Sequence, residues 1–209
     1  MPYLPLFPIK LVAYPGETVN LHIFEPRYRQ LIGECLSDDT TFGMPVFIDD
    51  KMPGFGTEMT IDQLVKRYDD GRLDIKVVGL RVFRLLSFQN PAPGRLYPQG
   101  TVEYFPGPEP HLPVAPELHN AVARLYQLLN ETMPAYLPSA QPYSYQIGHH
   151  VGLPIEGEYE LLTILREDER QTFLLDHLSR ALPVLEDLER TRSRIRMNGH
   201  FREFDELQF

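Results

Sequence analysis

Between Phe105 and Pro113 the chain carries Pro106, Pro108, Pro110 and Pro113, with Gly107 among them. Each proline fixes its own φ and removes a backbone donor, so this stretch can be neither a helix nor a central strand. It acts as a connector, and the two sides of it differ in hydrophobic period. The expected organisation is a β lobe over 1–105, a proline-rich connector over 106–115 and a helical lobe over 116–209.

The first side reads mainly as short strands. Ile61 to Tyr68 and Arg72 to Val78 are separated by Asp69-Asp70-Gly71, and Asp-Gly between two such runs is a hairpin signal. Thr101 to Phe105 is a further strand. Pro15-Gly16 marks a turn between Leu11–Tyr14 and Thr18–Phe24. One helix interrupts this half. Pro26 suits a first helical position, and Tyr28, Leu31, Ile32, Cys35 and Leu36 then recur on one face. That pattern makes Cys35 a small core residue rather than a reactive thiol.

Beyond the connector the period is helical. Leu118, Val122, Leu125, Tyr126 and Leu129 form one helix, and Tyr159, Leu162 and Leu165-Arg166 belong to a second. Leu174, Leu178, Ala181, Leu185 and Leu188 alternate steps of four and three, the seam of a packed bundle or a short coiled coil. Pro183 should kink or restart that last helix.

The 209 residues, 43% hydrophobic, are enough for one large domain or two small ones. A single cysteine excludes an intrachain disulfide framework and a cysteine-rich zinc site, which favours a reducing compartment, the cytoplasm by default. The first eight residues have no basic n-region followed by a long apolar run, so no signal peptide is expected. No apolar stretch approaches the ~20 residues of a membrane span. A net charge of -9 weakens the case for nucleic-acid or membrane-surface binding.

Motifs for chemistry are missing. There is no Gly-x-x-x-x-Gly-Lys-Ser/Thr or Gly-x-Gly-x-x-Gly loop, no Gly-x-Ser-x-Gly elbow and no His-Glu-x-x-His. No cofactor, metal or catalytic residue is expected. His149 and His150, neighbours on a helix, point about 100° apart and rarely share one metal, so a partly exposed helix face is the expectation. Asp176 and His177 fit a helix flank better than a dyad. Glu25 and Arg27 bracket Pro26 and could form a ligand clamp, or an anion at a helix start with an arginine bridging helix to sheet. Arg190, Arg192, Arg194 and Arg196 occupy alternate positions and spread around a helix instead of lining one face.

The order of several segments resembles the N-terminal, substrate-binding domain family of Lon-type ATP-dependent proteases. The segments are Leu4 to Pro8, Tyr14 to Glu17, Leu21 to Leu31, Asp39 to Met44, Gly56 to Ile61 and Val78 to Leu85, then more loosely Gln146 to Pro154, Leu161 to Leu165 and Phe173 to Arg196. The resemblance implies an α+β fold, a PUA-like β-barrel lobe followed by a C-terminal α-helical bundle lobe. It implies a proteolysis-related, non-catalytic module that contacts unfolded protein or peptide segments; self-association is left open. The sequence ends at Phe209 without the ATPase and protease domains of full-length Lon, so proteolysis itself is not carried over. RNA binding is the alternative, since PUA-like barrels also occur in RNA-binding proteins.

A peptide binder needs apolar side chains offered to solvent or lining a groove. Asp49 to Gly56 reads as a loop, which makes Met52 and Phe55 candidates. Tyr143 and Tyr145, after the Pro138-to-Pro142 loop, are candidates for the same groove. The competing expectation is that Phe55 tucks under its loop and both tyrosines pack the bundle.

Overall fold

The computed structural model describes residues 3–49, 51–107, 112–137 and 141–202, with the side chains of the last helix described to residue 195. Parts of the proline connector and of the Pro138-to-Pro142 loop, and the side chain of Arg196, lie outside these residues. The elements run β1 (Tyr3–Pro5), β2 (Thr18–Ile23), α1 (Pro26–Asp38), β3 (Phe42–Pro45), β4 (Phe55–Arg67), β5 (Leu73–Leu85), β6 (Gln99–Tyr104), α2 (Pro116–Leu129), α3 (Tyr143–Ile147), a 3-10 turn (Gly148–His150), α4 (Ile155–Thr163) and α5 (Glu167–Arg202). The fold is α+β.

All six strands pair antiparallel, in the order β1-β6-β5-β4-β3, with β2 on β5. The β4–β5 hairpin is the spine. It turns at Gly71, where φ is 86°, as the Asp-Gly signal anticipates. Register shifts at Glu58/Met59, Ile61/Gln63 and Leu64/Lys66 break its ladder, the kind of irregularity that bends a long ribbon. The sheet is not closed. Its outer strands have only three and four residues. They approach each other through isolated parallel bridges, Leu6 to Gly43 and Ile9 to Val46, rather than a ladder.

The helix α1 starts where Pro26 sits at its first turn and ends at Asp39 in the left-handed region. Tyr28, Leu31, Ile32 and Cys35 are its buried face. They pack with Phe7, Leu21, Ile23, Phe42, Met44, Met59, Leu73, Ile75 and Val77 into the main core. Leu4, Leu6, Phe83 and Val102 form a second, smaller cluster.

The chain divides into two compact units, Met1–Leu112 with Tyr136–Arg170, and Pro113–Ala135 with Gln171–Phe209. The segment with α3 and α4, read from sequence as part of a helical lobe, thus groups with the strands. Tyr14, 0% exposed, explains the grouping. Its ring stacks on Tyr145 at 4.8 Å and lies 4.6 Å from His149, and its hydroxyl donates to the Glu158 carbonyl at 3.2 Å. The turn that carries Tyr14 is itself held tightly against β5: a Cβ on Gly79 would meet the Tyr14 carbonyl oxygen at 2.3 Å. Only glycine permits that approach.

Three sequence expectations need correction. Leu11–Tyr14 is not a strand, although Val12, Ala13 and Tyr14 are buried. Leu165-Arg166 lies outside α4, because Nη1 of Arg170 takes the Ile164 and Leu165 carbonyls at 2.9 Å each. Finally, α5 does not restart at Pro183 but continues through it as one helix.

In the second unit, Leu118, Val122 and Leu125 of α2 and Leu174 and Leu178 of α5 are buried, and Arg124 pairs with Glu186 at 2.8 Å. The seam fades along α5: Leu188 is 55% exposed. Among the described residues no helix is long and apolar enough to cross a membrane.

Candidate functional site

Two open grooves meet at Arg27 and Tyr28, on the first turn of α1. The first, about 360 Å³, lies between the Pro8–Lys10 segment, Phe47, Met52, Phe88, Asn90 and Pro98. The second, about 370 Å³, runs between Phe7–Leu11 and the Val19–Phe24 stretch that includes most of β2. Both share Pro8, Ile9, Arg27 and Tyr28. They are in the size range of small-ligand and side-chain pockets.

The local sequence builds these walls. Tyr28 points inward because it starts the apolar face of α1, and its ring packs 4.1 Å from that of Phe7. Burial pushes its phenol pKa up, against the pull of the neighbouring Arg27. Arg27 lies over the Tyr28 ring at 4.4 Å and donates Nε and Nη2 to one oxygen of Glu25, at 2.9 and 2.8 Å. Glu25 is the N-cap residue of α1 and its side chain makes no cap bond; the Arg27 guanidinium pairs with Glu25 and not with the sheet, so the expected helix-to-sheet bridge is not formed. Phe24 and Phe88, 60% and 41% exposed, line the second and first grooves. Among the described strands β2 pairs with β5 alone. Val19, Asn20, Leu21 and His22 of β2 line the second groove.

Among the described residues neither lining contains Ser, Thr or Cys. His22, in the second groove, is tied through Nδ1 to Asp74 at 2.6 Å.

The sequence-derived candidates separate. Met52 is half-buried in the wall of the first groove. Phe55 is the first residue of β4; its ring stacks on Phe105 at 5.7 Å and meets Tyr159 edge-on at 6.4 Å. Tyr143 and Tyr145 are buried, 2% and 3% exposed, so neither is offered to a partner. Tyr145 sits between Tyr14 and the guanidinium of Arg170, 4.2 Å from its ring. The structure therefore does not gather the four residues at one surface. Sequence reasoning missed Ile9, Lys10 and Phe88. Phe88 sits close to Pro91 and Pro93 in an irregular stretch, and an aromatic there is the one signal that could have flagged it.

His149, on the 3-10 turn, is partly exposed and lies between two carboxylates. Its Nδ1 lies 2.8 Å from Glu158 and its Nε2 3.2 Å from Glu17. Burial alone would lower its pKa, but the two carboxylates outweigh it and hold the ring near 9. Among the described residues no cluster of His, Cys, Asp and Glu is arranged to hold a metal.

A family model described as the ATP-dependent protease La (LON) substrate-binding domain matches residues 3–180. The chain belongs to the Lon substrate-binding domain family. The match takes in both grooves, α3, α4 and the start of α5. The chain is similar to the crystal structure of a Lon N-terminal domain protein from Xanthomonas campestris, with a TM-score of 0.67 and 25% identity over 84% of this chain and 98% of that one. It shares its fold with the N-terminal domain of the Mycobacterium avium complex Lon protease, at a TM-score of 0.57 and 17% identity, over 85% and 98% of the two chains. The Lon substrate-binding domain is a non-catalytic, protein-binding module. Grooves with largely apolar walls suit that class of task.

Proposed function

We propose that this chain binds unfolded protein or peptide segments and performs no chemistry on them, in the service of proteolysis carried out elsewhere. The carrying observation is the pair of apolar grooves that join at Arg27 and Tyr28. Together they offer a continuous course for an extended segment, with Met52 and Phe88 as adaptable and aromatic contacts. The RNA-binding alternative has less behind it: the net charge is -9, and Glu25 stands in the second groove. The lone, buried Cys35 suits a reducing compartment such as the cytoplasm.

The test is binding of a fluorescently labelled, permanently unfolded protein. Met52→Ala combined with Phe88→Ser should weaken it by about 1–2 kcal/mol, roughly five- to thirty-fold, with the melting temperature unchanged. Purified protein should hydrolyse neither ATP nor peptides. A chain that retains no unfolded protein at all, or a hydrolytic activity abolished by a point mutation within it, would sink the reading.

A further inference from the structure

We propose that the first groove selects polypeptide segments in which apolar residues flank an aspartate or glutamate, whose carboxylate meets Lys10 and Arg27. The inference rests on the peptide-binding reading above and names the class of segment taken.

Charge is the first argument. The chain has 29 acidic and 20 basic residues, yet among the described residues the only charged side chains lining this groove are Lys10 and Arg27. Lys10 is exposed and has no ion-pair partner among the described residues. Arg27 engages a single Glu25 oxygen through Nε and Nη2, and its Nη1 has no partner among the described residues. Both cations thus keep donor capacity for a second carboxylate. Glu25 already pairs with Arg27 at 2.8 Å, so Lys10, unpaired among the described residues, carries most of the attraction, and repulsion from more distant acidic residues is screened within about 8 Å at physiological ionic strength.

Shape is the second argument. Ile9, Phe47, Met52 and Phe88 provide apolar walls beside the cations. The groove is open to solvent and shares Pro8, Ile9, Arg27 and Tyr28 with the second one. It is not a blind pocket for a chain end, and a segment can enter and leave. The acidic group is therefore a side chain within the segment, with apolar neighbours on both sides.

The experiment uses the full chain and labelled, C-terminally amidated peptides of Leu and Phe with a central Glu, Gln or Lys. Anisotropy is read at about 0.15 M salt. The Glu peptide should bind about three- to five-fold more tightly than the Gln peptide, the scale of one exposed ion pair, and the Lys peptide most weakly. Lys10→Glu should abolish the preference and Lys10→Arg should keep it; Lys10 lies outside the core, so neither variant is expected to unfold. Equal binding of the Glu and Gln peptides, or a preference that survives Lys10→Glu, overturns the selection and leaves peptide binding intact. Retention of unfolded protein without retention of any of these peptides overturns it too. Displacement of the Glu peptide by an oligonucleotide would assign the groove to nucleic acid and overturn it. Failure to bind peptides and unfolded protein alike would remove the parent reading as well.

Discussion

Arg170 is 1% exposed, and every part of its guanidinium is engaged. Nε meets Ser144 Oγ at 2.9 Å and Glu167 Oε2 at 3.1 Å, Nη2 meets Glu167 at 2.9 Å, and Nη1 takes two carbonyls that end α4. Glu167 in turn accepts from the Ser144 backbone N–H at 3.1 Å and from its hydroxyl. A charge buried this deeply is tolerable only because it is paired and its donors are satisfied. Arg170→Met should therefore cost about 3–5 kcal/mol by leaving Glu167 buried and unpaired, and Arg170→Met with Glu167→Met should cost much less. Chemical denaturation of both variants decides it; equal losses would mean that packing, not the ion pair, sets the cost. In the sequence the same two residues look like an ordinary solvent-facing i, i+3 pair. Their spacing fixes that they meet but not what covers them, which comes from Ser144 and Tyr145 on a different helix.

At the scale of elements, the loop before β4 separates two residues that the sequence treats alike. Met52 stands in a groove wall, while Phe55 begins the strand and donates its backbone N–H to the Tyr159 hydroxyl at 3.3 Å. Phe55→Ser should lower the melting temperature, with a loss of about 2–4 kcal/mol, whereas Met52→Ala should leave it within about 1 kcal/mol. Thermal melts of the two single variants separate the roles, and an unchanged melt for Phe55→Ser would contradict this placement. The hairpin at Gly71 and the helix opened by Pro26 were legible because both signals are local: a turn needing positive φ and a ring that suits a first helical turn. At Pro183, where a kink or a restart was expected, the helix does not restart. A proline forfeits one hydrogen bond, and the surrounding turns of a 36-residue helix can carry the chain through that gap.

For the molecule as a whole, the grouping of α3 and α4 with the strands was beyond sequence reach. An amphipathic helix reports that it has an apolar face and not which partner receives it. The pairs that decide the matter are far apart in the chain, 132 residues between Glu17 and His149 and 144 between Tyr14 and Glu158. The candidate grooves were out of reach likewise, since their walls come from segments near residues 9, 22, 27, 50 and 90. One of these long-range ties should be visible in solution. His149 is held near 9, above the ordinary histidine value of about 6.5. A folded-state value raised above the unfolded one stabilises fully below about pH 6.5 and loses that stabilisation as pH rises through about 9. The melting temperature should fall across that window, and His149→Gln should flatten the fall. A variant that keeps the same slope would show that another group is responsible.

The contact-defined units also interleave along the chain: Pro113–Ala135 interrupts the strand-bearing unit, which is completed only by Tyr136–Arg170. A ribosome delivers residues from the N-terminus onward, and domains ordinarily fold as they emerge. Here the strands are synthesised well before the residues that cover Tyr14. Until Tyr145 and His149 arrive, an aromatic face waits uncovered on the nascent chain. A fragment stopped at residue 105 would keep that face permanently open, so the strand region is not an autonomous piece to be cut out and studied by itself.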